Sequence, residues 1–195
     1  VKELLGLVEA GERSISKLCA DGWLLKEKRV VERDPFRDTI IQPDQPKTLN
    51  QEQEQALAQI KLSLDRQDAS TFLLHGVTAS GKTEVYLQAI QHCLDLQREA
   101  IVLVPEISLT PQTCDRFRQR YGNRVSVLHS GLSDGERFDE WNRINDGRSQ
   151  IAVGARSALF APFRHLGLIV VDEEHENSYK QEDAPRYNAR DVAVV

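Results

Sequence analysis

The segment HGVTASGKTEVYL, residues 75–87, contains the residues whose types and spacing point most directly to chemistry. Gly76, Gly81, Lys82 and Thr83 fit the spacing G-x-x-x-x-G-K-[ST], which is typical of loops that hold nucleotide phosphates. In such loops the backbone N–H groups face the phosphates, the lysine reaches the β- and γ-phosphates, and the hydroxyl binds Mg²⁺. We therefore predict a nucleotide site formed by Gly76, Val77, Thr78, Ala79, Ser80, Gly81, Lys82 and Thr83.

A second candidate group is the acidic pair Asp172 and Glu173, which directly follows the apolar run at residues 168–171. Ligands of open α/β sheets bind outside the carboxyl ends of the strands, where this pair is expected to lie. Asp172 is expected to hold Mg²⁺ together with Thr83, and Glu173 to orient or deprotonate the attacking water. Taken alone, D-E-E-H also fits a solvated acidic turn. With the glycine-rich loop, it predicts Mg-dependent nucleotide hydrolysis in which Lys82, Asp172 and Glu173 are catalytic.

Short apolar runs alternate with helical patterns along the chain and would position these groups. The apolar runs are at residues 71–75, 100–104, 125–129, 150–154 and 166–171, and the helical patterns include EQALAQIKLSL and TEVYLQAIQHCLDLQ. This alternation predicts an α/β fold with a parallel sheet and helices on both of its faces. Residues 72–74 are the expected strand directly before the phosphate loop.

The residues before this region have a different pattern. Residues 41–48 contain two prolines and predict a linker without helix. In residues 1–40, Ser14 is a plausible helix N-cap, Gly22 a helix stop, and residues 23–33 a charged hairpin. A helix followed by a hairpin is typical of the second half of a winged-helix module, whose phosphate contacts would come from Lys26, Lys28, Arg29 and Arg33. A small α+β unit with a charged edge is the alternative.

Composition limits the class of protein. The chain has 195 residues and a formal net charge of −5, and it contains no Met, so we expect it to be a piece of a longer protein. No apolar run is long enough to span a bilayer, which predicts no membrane association. The three cysteines have no C-x-x-C spacing and predict reduced thiols in a cytoplasmic protein rather than a disulfide framework. The net charge does not indicate a nucleic-acid binder, but local basic patches decide such binding.

Four further segments are more specific: LVPEISLTPQ at 103–112, HSGLSDGERFDEW at 129–141, GARSALFAPF at 154–163 and DEEHENSYKQEDAPRYNARDVAV at 172–194. With the phosphate loop, they resemble the first motor lobe of superfamily 2 DNA helicases, and most closely the bacterial primosomal replication-restart helicases. The resemblance spans residues 49–195 and implies a RecA-like lobe, truncated at its carboxyl-terminal end. That family also places a winged-helix module before the motor.

The resemblance implies roles for individual residues, with ATP and Mg²⁺ as cofactors. Gln53 matches the glutamine that reads the adenine edge, and residues 105–112 and 154–157 match segments facing DNA. Arg156 and Ser157 are expected to contact DNA phosphates. The segment from 178 to 187 resembles an aromatic-rich loop whose DNA contacts would come from Tyr179, Lys180, Arg186 and Tyr187. Ala79 stands where the family usually has Gly, which costs about 1 kcal/mol or more if φ is positive there.

The implied function is ATP-dependent 3′→5′ unwinding during replication restart, acting on stalled or branched forks for primosome assembly. The implied partners are single-stranded and forked DNA, other primosome proteins and single-strand DNA-binding protein. A second motor lobe and a zinc-binding region are expected only after residue 195, so this piece is expected to hydrolyse ATP poorly alone. The alternatives are another superfamily 2 translocase, a nucleotide-switched winged-helix DNA-binding protein, or a small-molecule kinase.

Overall fold

The computed structural model describes residues 12–25, 43–77 and 79–195. The chain divides into two compact units, residues 1–32 and 33–195. In the first unit, helix α1 (Glu12–Ala20) ends shortly before Gly22, as predicted, but Ser14 lies inside the helix rather than at its N-cap. Of the predicted hairpin, residues 23–25 are described and contain no strand, whereas residues 26–33, with the basic residues Lys26, Lys28, Arg29 and Arg33, lie outside the described residues. The winged-helix module and the boundaries 1–40, 41–48 and 49–195 therefore stay predictions.

The second unit alternates helices and strands. Its helices are α2 (Gln51–Arg66), α3 (Lys82–Asp95), α4 (Pro111–Tyr121), α5 (Asp134–Asn145) and α6 (Ala189–Ala193). Its strands are β1 (Glu99–Leu103), β2 (Val125–Leu128), β3 (Ile151–Gly154), β4 (Leu166–Val171), β5 (Lys180–Gln181) and β6 (Tyr187–Asn188). Short 3-10 turns cover Glu106–Ser108, Gly122–Arg124, Arg156–Phe160 and Asn177–Tyr179.

Strands β1 to β4 form one parallel sheet in the order β2-β3-β1-β4. Leu103 at the end of β1 pairs with Gly154 at the end of β3 and with Val171 at the end of β4. The chain therefore leaves all three strands at the same edge of the sheet. Strands β5 and β6 form a separate antiparallel hairpin. The predicted parallel α/β sheet is confirmed.

Successive side chains of β1, which lies between β3 and β4, pack into two hydrophobic cores on opposite faces of the sheet. Ala100 and Val102 pack with α3 and α4 on one face, whereas Ile101 and Leu103 pack on the opposite face with residues from α5 and the Arg156–Phe160 turn. All four side chains are at most 1% exposed. Burying a large aliphatic side chain completely contributes about 1.5–3 kcal/mol, so both layers stabilise the sheet. The predicted helices on both faces are confirmed.

The described part of the predicted linker, residues 43–48, contains no helix, as predicted, but it is bound to the helices. The backbone N–H of Lys47 donates to Glu84 Oε1 at 3.0 Å, and Arg120 binds both Glu84, at 2.5 Å, and Asp44, at 3.3 Å. Burial raises the pKa of Glu84, but its hydrogen bonds and the charge of Arg120 outweigh that effect and lower it. An ionised Glu84 thus holds this segment beside the start of α3.

The predicted strand at residues 72–74 is wrong. Residues 71–77 have no regular secondary structure, and the side chains of Phe72 and Leu73 are 46% and 76% exposed. Leu74 alone packs inward, against the cluster between α2 and α3. A strand requires a neighbour for its backbone N–H and C=O groups, and the sheet in the described part of the chain ends at β4. The apolar run therefore leads into the phosphate loop without joining the sheet.

Cys93 and Cys114 are buried and, like Cys19, form no disulfide. Burial raises the pKa of the Cys93 thiol to about 11, so this thiol stays neutral. Among the helices the structure describes, none combines the length and apolar character needed to cross a membrane.

Candidate active site

The amino-terminal end of α3 differs from the other helix starts in the second unit. Helices α2, α4, α5 and α6 each begin with a side chain that accepts a hydrogen bond from a first-turn N–H: Asn50, Thr110, Ser133 and Asn188. Helix α3 follows Gly81, and no described side chain caps it. Its first N–H groups and the positive end of its dipole are therefore left for an anion.

The loop before α3 fits a phosphate group. Gly81 has φ +83°, and a Cβ at this residue would lie 2.5 Å from Gln53 Nε2, so the loop needs glycine here. The Ser80 hydroxyl is buried and has no hydrogen-bond partner among the described residues. Lys82 Nζ donates to the carbonyls of Gly76 at 2.7 Å and Val77 at 3.3 Å, so the ammonium group lies over the loop. These groups supply the positive charge and donors that a phosphate requires. Thr78 lies outside the described residues.

Ala79 has φ +63° and so adopts the left-handed conformation. An L-residue with a Cβ is strained there by roughly 1–2 kcal/mol, whereas Gly is not. The sequence predicted a cost for Ala79 only if φ were positive, and the structure has this positive value. The loop therefore carries backbone strain next to Ser80 and Gly81.

Replacing Ala79 with Gly is expected to stabilise the protein by about 1 kcal/mol, because the strain is removed while part of the gain is offset by the greater freedom of Gly in the unfolded chain. Thermal unfolding should show a rise in Tm of about 2–4 °C. Gln97→Gly is the matched control, because Gln97 has φ +58° in an exposed turn outside the loop. A lower Tm for Ala79→Gly beside a higher Tm for the control would contradict the assignment of strain to Ala79.

Gln53 contacts the loop through both ends of its amide. Its Oε1 accepts from the Asn50 N–H at 2.9 Å, which caps α2, and its Nε2 donates to the Ser80 carbonyl at 2.9 Å. An amide offers two N–H donors and two lone pairs, so one of each is still available. The structure thus places Gln53 on the phosphate loop, and its contact with adenine stays a prediction.

Asp172 lies at the end of β4 and is held from several sides. Its backbone N–H donates to the Leu103 carbonyl at 2.9 Å, its Oδ1 accepts from the Glu173 N–H at 3.1 Å, and its Oδ2 accepts from Tyr86 Oη at 3.4 Å. Burial, followed by the charge of Glu173, raises its pKa, although the nearby Lys82 lowers it. The carboxylate is therefore partly buried without a full counter-charge.

The oxygen atoms of Asp172 and Thr83 fit Mg²⁺, which prefers hard oxygen ligands and commonly uses one or two protein carboxylates together with substrate phosphates. Across the described ranges, no group of three or more His, Cys, Asp or Glu residues could hold a metal by itself.

Glu173 has φ +46°, another left-handed backbone conformation at a residue other than glycine. Its side chain is 43% exposed, and its Oε2 lies 3.9 Å from His175 Nδ1. Strained residues of this kind cost about 1–3 kcal/mol and cluster at functional sites. The chain turns directly after Asp172, and the Glu173 carboxylate is open to solvent.

Arg156 and Ser157 follow β3 at the same edge of the sheet. Arg156 Nη1 donates to the Lys180 carbonyl at 2.9 Å and to the Ser178 carbonyl at 3.5 Å, so its guanidinium is partly engaged within the protein. Ser157 is exposed. Arg156 thus ties the Arg156–Phe160 turn to the segment after Asp172, and only its remaining N–H groups are open to a phosphate.

The interpretation of Tyr179 as a base-stacking ring is wrong for this structure, because its side chain is only 1% exposed. Its hydroxyl lies 3.0 Å from the Leu103 carbonyl and 2.5 Å from the Asp172 carbonyl. Both carbonyls compete for one O–H proton, and the ring fills the core between the ends of β1 and β4. Tyr179 therefore positions the backbone of Asp172.

The other three predicted DNA-binding residues lie together at the surface. Lys180, Arg186 and Tyr187 line a shallow cleft of about 440 Å³ on the β5–β6 hairpin. The Tyr187 ring packs edge-on against Phe160 at 5.3 Å, and Lys180 Nζ lies 3.9 Å from Glu182 Oε1. Two cations beside a partly exposed ring are suited to binding a nucleic-acid backbone and base. The DNA-binding role of these three residues stays a prediction.

Sequence reasoning missed Tyr86, whose hydroxyl contacts Asp172. Its helical spacing places it among the apolar residues of α3, where an aromatic ring is expected to be a core residue. The only available signal was its position three residues after Thr83, which places the two side chains on the same face of α3.

Comparisons with known proteins identify related chains. Residues 50–192 match the family model of DEAD/DEAH box helicases. The replication restart protein PriA of Bacillus subtilis is 50% identical over 98% of the chain and 24% of the relative. The corresponding proteins of Haemophilus influenzae and Chlamydia trachomatis are 48% and 52% identical over 92% and 78% of the chain, and over 25% and 20% of the relatives. The chain thus spans about a quarter of the length of these relatives, and the resemblance found in its motifs is confirmed.

Proposed function

The chain belongs to the DEAD/DEAH box helicase family, and from this premise we propose that it is the ATP-binding first motor lobe of a replication-restart DNA helicase. The observation that carries the proposal is the uncapped start of α3, with Lys82 lying over the glycine loop and with Asp172, at the end of β4, bonded to Tyr86 of the same helix. The relatives named replication restart protein PriA support the choice of process. The RecA-like character of the lobe agrees with the parallel sheet.

Each residue has a role in this proposal. The N–H groups at the start of α3 and the ammonium of Lys82 bind the β- and γ-phosphates and offset their charge. Thr83 and Asp172 hold Mg²⁺, which supplies further neutralisation of phosphate charge when bound. Glu173 orients the attacking water and accepts its proton. Gln53 keeps the loop in place through the Ser80 carbonyl.

The edge of the sheet offers a route from DNA to this site. The segments after β1, β3 and β4 leave the sheet together, and Arg156 and Tyr179 join them through backbone carbonyls. DNA binding would therefore affect the position of the segment that carries Asp172 and Glu173. The DNA contacts in this proposal come from Arg156, Ser157, Lys180, Arg186 and Tyr187. By likeness to the relatives, we assign single-stranded and forked DNA as substrates and 3′→5′ as the direction.

Activities of the whole protein follow from the same likeness. The chain spans about a quarter of the length of its relatives. We therefore assign full-rate ATP hydrolysis to a longer protein, in which a second lobe supplies arginines that stabilise the transition state. Assembly with other primosome proteins and with single-strand DNA-binding protein is proposed for that whole protein.

The test is steady-state ATP hydrolysis by the full-length protein without DNA, with single-stranded DNA and with forked DNA. The Asp172→Asn variant supplies the background rate. We expect DNA to raise the rate in the wild-type protein but not in the variant. Hydrolysis that ignores DNA would overturn the helicase assignment, and nucleotide-dependent DNA affinity without stimulated hydrolysis would favour a nucleotide switch.

A further inference from the structure

Tyr86 is a buried polar residue inside an apolar cluster. Its side chain is 8% exposed, and its ring stacks on Phe117 with a centroid distance of 6.3 Å and an interplanar angle of 8°. Phe117 is itself fully buried, so the ring of Tyr86 has a fixed position. Burying a hydroxyl in apolar surroundings is unfavourable unless it makes a hydrogen bond. The hydrogen-bond partner of Tyr86 therefore indicates what the hydroxyl does.

The partner is the carboxylate of Asp172, whose Oδ2 lies 3.4 Å from Tyr86 Oη. A carboxylate only accepts, so the phenol proton is donated to Asp172, and the Thr83 hydroxyl lies within hydrogen-bonding reach of Tyr86. Tyr86 therefore lies between the two side chains assigned to Mg²⁺.

The other carboxylate oxygen is also fixed. Asp172 Oδ1 accepts from the Glu173 N–H at 3.1 Å, so each oxygen has one donor that sets its direction. Hydrogen bonds of this kind orient metal ligands, and their loss commonly reduces metal affinity about 10–100-fold. The contact at 3.4 Å is long, which favours the lower end of that range.

We propose that Tyr86 is a positioning residue for the divalent cation, because it fixes the carboxylate of Asp172 relative to the Thr83 hydroxyl. This inference rests on the proposed function and adds a residue to the same site. It differs from a purely structural role, in which Tyr86 would only fill space beside Phe117. The two roles are separable because Phe keeps the ring and removes only the hydroxyl.

Tyr121 provides the matched control. It is buried in the same cluster, with 4% exposure, but its hydroxyl donates to the Leu87 carbonyl rather than to Asp172. Tyr121→Phe therefore removes a buried hydroxyl from the same core without touching the proposed cation site. Any general loosening of this core is expected to affect both variants.

The experiment measures binding of a fluorescent, non-hydrolysable ATP analogue to the full-length protein as Mg²⁺ is titrated. In Tyr86→Phe, the half-saturating Mg²⁺ concentration is expected to rise about tenfold, while analogue binding without Mg²⁺ is unchanged. Tyr121→Phe is expected to keep the wild-type Mg²⁺ requirement even if its Tm falls. If Tyr86→Phe fails to fold, Phe117→Leu, which frees the ring but keeps the hydroxyl, is expected to shift the requirement in the same direction.

An unchanged Mg²⁺ requirement in Tyr86→Phe, or an equal shift in both tyrosine variants, would overturn the positioning role and leave the proposed function intact. A wild-type protein that binds the analogue equally well with and without Mg²⁺ would also overturn it. A wild-type protein that binds no analogue would instead remove the proposed function on which the inference rests.

Discussion

Asp172→Asn is expected to lower DNA-stimulated ATP hydrolysis by at least about a hundredfold and to raise the Tm of the nucleotide-free protein. The first effect follows because a bound Mg²⁺ contributes several kcal/mol of charge stabilisation and loses its carboxylate ligand in the variant. The second follows because burial and the charge of Glu173 make the ionised Asp172 unfavourable in the folded protein. Removing an unfavourable charge is therefore expected to stabilise the fold.

The second effect has a definite pH dependence. The pKa of Asp172 is raised above its ordinary value of 3.8 in the folded protein. Below that value the side chain is neutral in both the folded and the unfolded chain, so wild type and variant should differ little in stability. As the pH rises from 3.8 through the raised pKa, the wild-type protein loses stability relative to Asp172→Asn, and the difference persists at neutral pH.

Thermal unfolding with and without Mg²⁺ and nucleotide checks this prediction. The ligands should stabilise the wild-type protein more than the variant, because only the wild-type side chain is a carboxylate that can hold the cation, so the difference between the two Tm values narrows or reverses. Asp183→Asn is a suitable control, because Asp183 is an exposed acidic residue on the loop that follows β5. A variant that keeps the hydrolysis rate would show that Asp172 does not hold the cation.

The sequence correctly predicted the features of the fold that depend on local residue patterns. The continuous apolar runs that became β1 to β4 form a parallel sheet, in which β1 to β3 are largely buried and β4 is partly exposed, and the G-x-x-x-x-G-K-[ST] spacing placed the loop directly before α3. The run at residues 72–74 has the same apolar character, but whether it forms a strand depends on a partner strand. Apolar character therefore identifies segments that avoid water and does not supply their hydrogen-bond partners.

Tyr179 and Tyr86 show a second limit. Tyr179 lies in a polar segment, which favours a surface ring, yet the ends of β1 and β4 cover it. Tyr86 lies in an apolar helix, which favours a core ring, yet its hydroxyl reaches Asp172. In both cases the role depends on a contact with a residue distant in the sequence. The φ values of Ala79 and Glu173 are likewise set by the fold, because neither residue type favours a positive φ.

Gly81→Ala is expected to weaken nucleotide binding by roughly 10- to 100-fold. At φ +83° a Cβ is strained by roughly 1–2 kcal/mol, and here it would also lie 2.5 Å from Gln53 Nε2. Gln53 must then move and release the Ser80 carbonyl, which removes a hydrogen bond of about 1 kcal/mol. In the variant, the free loop therefore favours other conformations, in which its N–H groups do not face the phosphate. Nucleotide binding must restore the binding conformation, and the free energy this requires weakens the apparent affinity.

Gly147→Ala is the control that distinguishes the effect of backbone strain from an effect on the nucleotide site. Gly147 has φ +73° in the turn after α5, and a Cβ there would meet nothing within 4 Å. Both variants carry a similar backbone strain, so both should unfold at a lower temperature, but only Gly81→Ala should raise the Kd of a fluorescent ATP analogue. Equal Kd values for the two variants would mean that the loop tolerates a Cβ beside Gln53. In that case the close approach of Gln53 to Gly81 would not control how the loop holds phosphate.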